Sequence, residues 1–444
     1  MRLRPLALTA ALTVTLTPGV ASPVADAQSS LSSLSSASSL SSLSSGSSGG
    51  GRQKDPSPIQ DAPGTPIAMP GDIIVQIMGD LLGNNKSDHV GFKAGDLGIM
   101  TPLGNGEEFA IIFGDSFRGN TLGQGEWMSP VGVVARMVDG VIKIIRPLNI
   151  GEKVNPLIRY FRAEGDNLTL IPSDVLNIDG TLYMQGMWNR GIGNVEYTEI
   201  WKSTDNGTSW ASVGKTSSSY MNGLGNLISW ERGDDGYIYA VSSSFKRDHP
   251  VFLSRFRENH MNDRSKWELF NPATGSWSSA GNPILSGNVE AGEMNLRLID
   301  GHWVLVMFNE ATLQIEVRIS DTLARDWNDV PVAVIAKHGL WSNEQTPANF
   351  SQPYGGYIVP GSTLANMDIV VSQWNTSTNR RYNSTQFNVK GLDAFFGVRA
   401  VNRSMLRSVP FSATEPGELQ VTKLPGTSTP EQAAEDAALS HTAP

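Results

Sequence analysis

Residues 293–309 read EMNLRLIDGHWVLVMFN: an apolar run, Asp300-Gly301, then a second apolar run ending at Asn309. Asp-Gly between two such runs marks a tight hairpin, because both central residues of that turn take positive φ. The same unit recurs as GDLGIMTPLGNGEEFAIIFGDSF (95–117), PSDVLNIDGTLYMQGMW (172–188), NLISWERGDDGYIYAVSSSF (226–245) and YGGYIVPGSTLANMDIVVSQWN (354–375). Its turn residues Gly106, Gly180, Gly236, Gly301 and Asn366 are spaced 74, 56, 65 and 65 apart. Between copies there is room for another strand pair, with Trp210, Trp267 and Trp327 at corresponding points. Four strands per unit at this period predict an all-β fold, a five-bladed β-propeller with four-stranded antiparallel blades. A two-sheet sandwich is disfavoured by hairpins that are apolar on both faces.

Residues 58–412 hold this pattern. The first 27 residues read as a secretory signal: Arg2 and Arg4, an apolar stretch from Leu6 to Ala21, then Ala25-Asp26-Ala27. Pro18 and the shortness of the stretch argue against a membrane anchor. Residues 28–57 are a Ser/Gly-rich flexible linker by composition, and 413–444 an acidic, Ala- and Pro-rich tail expected to be disordered. The chain has no cysteine, which excludes disulfides and thiolate chemistry. With 34 basic against 43 acidic residues and no basic run outside the signal, neither nucleic acid nor an anionic membrane is the expected partner.

In a propeller, ligands meet the face where innermost strands begin and second strands end. Those positions hold Asp96 and Asp115, each flanked by glycine, then Asp174, Glu290 and Glu293. They also hold Trp188, Phe308, Tyr354 and Trp374 together with Asn189, Asn309 and Asn375. Aromatic rings beside amides suit sugars, which offer apolar faces and rows of hydroxyls. His89 and Arg118 flank blade one and join the list of substrate-binding candidates. No HExxH or Walker pattern and no histidine cluster is present, so no metal or cofactor is expected, a structural cation in the central channel being left open. Two carboxylates on a glycan-sized groove are the minimum for glycosidic cleavage, one as acid and one as base or nucleophile.

Ser203-Thr204-Asp205-Asn206-Gly207-Thr208-Ser209-Trp210 resembles the Asp-box of sialidase-type propellers, a structural turn between outer strands. Arg118, Arg159, Arg162, Arg190 and Arg297 could supply a sialidase's three arginines by count, but the arginine motif expected near the first strand is missing. GFKAGDLG and FAIIFGDSF, with MSPVGVVAR (128–136) and STDNGTSW (203–210), resemble the actinobacterial domain of unknown function 4185, grouped with glycoside hydrolase family 183, the endo-D-arabinanases. The resemblance runs from about His89 to Val389. It implies a five-bladed propeller that cleaves α-linked D-arabinofuranose chains of arabinogalactan and lipoarabinomannan, with Asp96 and Asp115 as the catalytic carboxylates. Analogy with other five-bladed furanosidases favours inversion.

The expectation is therefore a secreted, monomeric endo-glycosidase of the cell envelope whose partner is an arabinan-containing wall polysaccharide. Two other readings stay open: a lectin-like propeller that binds the wall without cleaving it, and a sialidase-like exo-enzyme.

Overall fold

Two residue pairs show how the chain turns. Asp179-Gly180 and Asp300-Gly301 have φ of 49° and 93°, and of 52° and 85°. This is the left-handed backbone a two-residue hairpin requires and glycine adopts without steric cost. Leu168–Ile178 is thereby laid on Thr181–Arg190, and Ala291–Ile299 on His302–Asn309.

The computed structural model describes residues 63–399 except 105 and 164. Five antiparallel sheets follow one another along the chain. From inside outward, blade 1 is Ala94–Pro102, Phe109–Phe117, Val131–Val138 and Val141–Pro147, with the short strand Trp127–Met128 beside the second. Blade 2 is Leu168–Ile178, Thr181–Arg190, Val195–Ser203 and Ala211–Ser217. Blade 3 is Leu227–Arg232, Ile238–Ser243, Phe252–Phe256, Glu268–Asn271 and Ser276–Ser278. Blade 4 is Ala291–Ile299, His302–Asn309, Gln314–Ser320 and Ala333–Lys337. Blade 5 is Pro353–Ile358, Asn366–Trp374 and Tyr382–Lys390, completed on the outside by Ile74–Asp80 and Ile67–Ala68. The five first strands pack on one another in a closed cycle, so this is the five-bladed propeller the hairpins predict.

The repeated apolar runs are explained by burial on both faces. Every residue of His302–Asn309 is buried, and Val304 and Val306 face one core cluster while Leu305 and Met307 face another. Each such side chain contributes about 1.5–3 kcal/mol by leaving water.

Three details differ from expectation. The fifth turn lies at 359–365, with Gly361 at φ 90°, and Asn366 is already in the following strand. Blade 3 carries a fifth strand. Blade 5 is closed by a strand from the start of the domain, which no hairpin copy announced. Asp80 on that strand accepts from Arg381 Nη2 (2.7 Å) and Thr385 Oγ1 (2.7 Å), about 300 residues downstream. The signal, linker and tail expected at 1–27, 28–57 and 413–444 lie outside the described residues. No helix among the described residues is long and apolar enough to cross a membrane.

Candidate active site

Blade 1's innermost strand is irregular where it begins. Its pairing with the second strand slips on both sides of Leu97. Leu97 has φ 64°, a strained value for a non-glycine residue that survives only where the surroundings enforce it. Ser372 Oγ accepts the Leu97 N–H at 2.8 Å, and Ser384 Oγ donates to its carbonyl at 2.9 Å. This bulge separates Asp96 from the regular ladder. Asp96 and Asp115 are the two interior positions at which these otherwise buried strands open toward solvent.

The two acids share one electrostatic environment. Burial pushes the Asp96 carboxyl up to about 8, aided by the charges of Asp115 and Glu293 and opposed by the hydroxyls of Tyr382 and Tyr354. Tyr354 donates to Asp96 Oδ2 at 2.9 Å. Asp96 Oδ1 is buried with no partner. It lies against Gly114, where a Cβ would come within 2.6 Å of it. Asp115 is also raised by burial, but Trp127 and Arg162 work against the rise. Trp127 Nε1 donates to Asp115 Oδ1 at 2.8 Å, and the Arg162 guanidinium lies 4.2 Å over the Trp127 ring. The charge of Asp115 raises Asp96, while Trp127 and Arg162 favour the ionised form of Asp115, so the two acids titrate as a coupled pair.

Glu293 is brought to the same place from blade 4, on a strand whose register also slips, between Ala291 and Met294. Arg247 Nη2 donates to its Oε1 at 2.6 Å, while Oε2 is buried without a partner. Arg247 itself lies 5.2 Å over the rings of both Phe308 and Tyr354. Trp374 remains partly open and meets Tyr382 edge-on at 5.9 Å. Asp96, Asp115, Glu293, Tyr354 and Trp374 are thus assembled as the sequence suggested.

Other candidates are placed elsewhere or fully occupied. Asp174 is buried, and its oxygens accept from Arg297 Nη1 and Nη2, Ser229 Oγ, and the Trp230 and Val175 N–H groups. No lone pair is left for a ligand. Arg118 spends its three nitrogens on Glu126 and the carbonyls of Gly91 and Val154, clamping a loop. Trp188 is buried among Tyr160, Tyr197 and Trp201 and donates to Glu199 Oε2 at 2.8 Å. Asn189 is buried, its amide donating to the Met187 carbonyl while its Oδ1 has no partner. Asn309 bonds the Asn288 carbonyl, Glu316 and the N–H groups of Glu290 and Ala311, fixing its own turn. Glu290 and His89 are exposed, and neither bonds an acid of the site. Sequence reasoning missed Arg247, Trp127 and Tyr382. The first lies in a loop of blade 3, the second in a two-residue strand, and the third begins the middle strand of blade 5.

Arg297 reaches across the innermost strands. Its guanidinium donates to the carbonyls of Met100, Val175, Trp230 and Leu296, one from each innermost strand of blades 1 to 4. The chain's own cation occupies that ring of acceptors. Among the described residues no group of three or more His, Asp or Glu could hold a metal ion.

The Asp-box folds as a structural turn. Asp205 Oδ1 accepts from Ser203 Oγ (2.7 Å) and the Ser209 N–H (2.9 Å), Ser209 Oγ donates to Oδ2 (2.6 Å), and Trp210 Nε1 donates to the Gly207 carbonyl (3.0 Å).

The family profile described as Domain of unknown function (DUF4185) matches residues 83–388. An uncharacterized 35.9 kDa protein of Mycolicibacterium smegmatis is 29% identical over 318 residues, 67% of this chain and 93% of that protein. A Bacteroides ovatus crystal structure, provisionally described as a hydrolase, superposes with a TM-score of 0.53 at 12% identity, over 74% of this chain and 93% of that one. At that identity the likeness is one of fold. An α-L-arabinanase of Cellvibrio cellulosa aligns with a TM-score of 0.43 at 11% identity, over 66% and 91% of the two chains.

Proposed function

This chain belongs to the family described as Domain of unknown function (DUF4185), and we propose that it is an exported glycoside hydrolase acting within arabinan chains of a cell-wall polysaccharide. The observation that carries the reading is the pair of unlike carboxyls at one end of blade 1. Asp96 keeps its proton to about pH 8, while the ionised form of Asp115 is favoured by Trp127 and Arg162. Two carboxyls driven apart in acidity are what glycosidic cleavage requires.

In this mechanism Asp96 protonates the departing glycosidic oxygen. Asp115 either removes a proton from the attacking water or attacks the anomeric carbon directly. The positive charge that builds on the sugar ring is stabilised by the Asp115 carboxylate. Glu293 Oε2, buried and unpartnered, accepts a sugar hydroxyl, with Arg247 holding the side chain in place. Trp374 offers a ring face to the sugar's C–H face. Arabinan as substrate rests on the sequence resemblance around Asp96 and Asp115, and export on the N-terminal signal pattern.

The test is incubation of the purified protein with mycobacterial arabinogalactan, followed by sizing of the products. Oligoarabinosides that disappear with both Asp96→Asn and Asp115→Asn are expected. Retention of the polysaccharide with no products, unchanged by either substitution, identifies a wall-binding propeller and overturns the enzymatic reading.

A further inference from the structure

A cleft of about 460 Å³ opens between blades 1 and 2, lined by none of the acids and by none of the side chains that touch them. Asn149 and Ile150 form one lip, following the outermost strand of blade 1. Trp201, Ser209 and Trp210 form the opposite wall, and Arg159 overhangs from the loop that joins the blades. This volume is within the range of small-molecule sites, about 300–1,000 Å³.

The lining has features that folding alone does not explain. Ile150 is 83% exposed at the lip. Arg159 is exposed and forms no ion pair among the described residues. Asn149 Oδ1 is buried and has no hydrogen-bond partner. An unmet buried acceptor costs about 1–3 kcal/mol, which a ligand's donor would recover. Trp210 is half-buried, its Nε1 already committed to the Gly207 carbonyl, so its ring carbons are what it can offer a ligand. An acceptor seeking a donor, a guanidinium seeking acceptors and apolar walls around both describe one chemistry. A sugar hydroxyl gives and takes a hydrogen bond, and the C–H face of a sugar ring packs on Trp and Ile.

We infer that this cleft is a second carbohydrate-binding site, which holds a length of polysaccharide without cleaving it. The choice of ligand rests on the glycan reading proposed above. The Asp-box thereby gains a use: its hydrogen-bonded turn fixes Trp210 as one wall of the cleft. The loop that carries Arg159 continues directly into Tyr160 and Arg162, whose charge acts on Asp115, so one strap borders both places.

The experiment uses Ile150→Glu and Arg159→Glu, both at exposed positions outside the acid cluster. Two quantities are read: turnover of short soluble arabino-oligosaccharides, and retention on insoluble mycobacterial arabinogalactan by co-sedimentation, the latter also in an Asp96→Asn background. Each substitution is expected to weaken retention about tenfold and to leave short-substrate turnover unchanged, which also shows that the variants fold. Retention equal to wild type in both variants overturns the inference. So does a parallel loss of turnover and retention, because the two places would then be one site. If the wild type is retained but cleaves nothing, and Arg159→Glu abolishes retention, the cleft stands and the hydrolase reading falls. A wild type that neither binds nor cleaves removes both.

Discussion

Replacing Asp96 with asparagine is expected to stabilise the protein at neutral pH while removing its activity. In the native fold Asp96 keeps its proton to about pH 8, whereas an aspartate in an unfolded chain loses it near pH ~3.9. At pH 7 the two states differ over about three pH units, each worth about 1.36 kcal/mol, so the native-state cost has a ceiling of about 4 kcal/mol. Asp96 keeps some contact with solvent and shares its field with Asp115, and roughly half of that ceiling, about 2 kcal/mol, is the working figure. For a domain of this size that is about 3 °C in melting temperature. An amide is neutral at every pH, nearly isosteric, and able to accept the Tyr354 hydroxyl in place of Asp96 Oδ2. Because the native pKa is raised, the wild type is most stable relative to the variant below pH ~4 and loses ground steadily up to about pH 8. Calorimetric melting of both proteins from pH 4 to 9 reads the difference. A gap that stays constant with pH, or that closes as pH rises, refutes the assignment of Asp96 as a buried, protonated acid.

Three other expectations follow from the same geometry. Trp127→Phe removes the hydrogen bond that favours ionised Asp115, so the acid limb of the pH–rate profile moves to higher pH, while the alkaline limb set by Asp96 stays near about 8. Gly114→Ala places a Cβ within 2.6 Å of Asp96 Oδ1; displacement of that carboxyl is expected to lower kcat at least about 100-fold, with circular dichroism unchanged. Arg297→Met leaves Asp174 buried without its counter-charge and is expected to cost about 3–5 kcal/mol of stability in denaturant unfolding, since Arg297 is 13% exposed and Asp174 is fully enclosed.

The propeller was legible because its signals are local. A Gly-containing turn between two apolar runs depends on a few neighbouring residues, and the recurrence of that unit at a regular period gives the blades. The closing strand was not legible, because Ile74–Asp80 has only the two-residue strand Ile67–Ala68 beside it in sequence and its long partner is Tyr382–Lys390. Site residues divide along the same line. Asp96, Asp115 and Glu293 stand at strand ends beside glycine, an unusual place for a carboxylate, and that oddity was readable. Asp174 lies inside the first strand of blade 2 rather than at its start, Asn309 ends the second strand of blade 4, and both side chains turn into the structure. Which way a strand residue points depends on register, and blade 2's innermost strand slips between Pro172 and Asp174. Arg247 carries no local signal at all. Its φ of 57° and its placement over Phe308 and Tyr354 arise only when blades 3, 4 and 5 are assembled.

Closure by the first strand also bears on how the molecule is made. During synthesis Ile74–Asp80 emerges early, yet its partner strand begins only at Tyr382. Until then it is an apolar segment with an unsatisfied backbone edge, and four blades can form without a closed ring. Folding is therefore gated by the last part of the chain, and contacts of such long sequence separation are slow to form. A product truncated before Tyr382 would keep its acids, Tyr354 and Trp374 but lack Tyr382 and the strand that joins blade 5 to the closing strand. The architecture thus acts as a completeness check: the ring closes, and the Asp96 pocket gains its tyrosines, only when translation has nearly finished the domain.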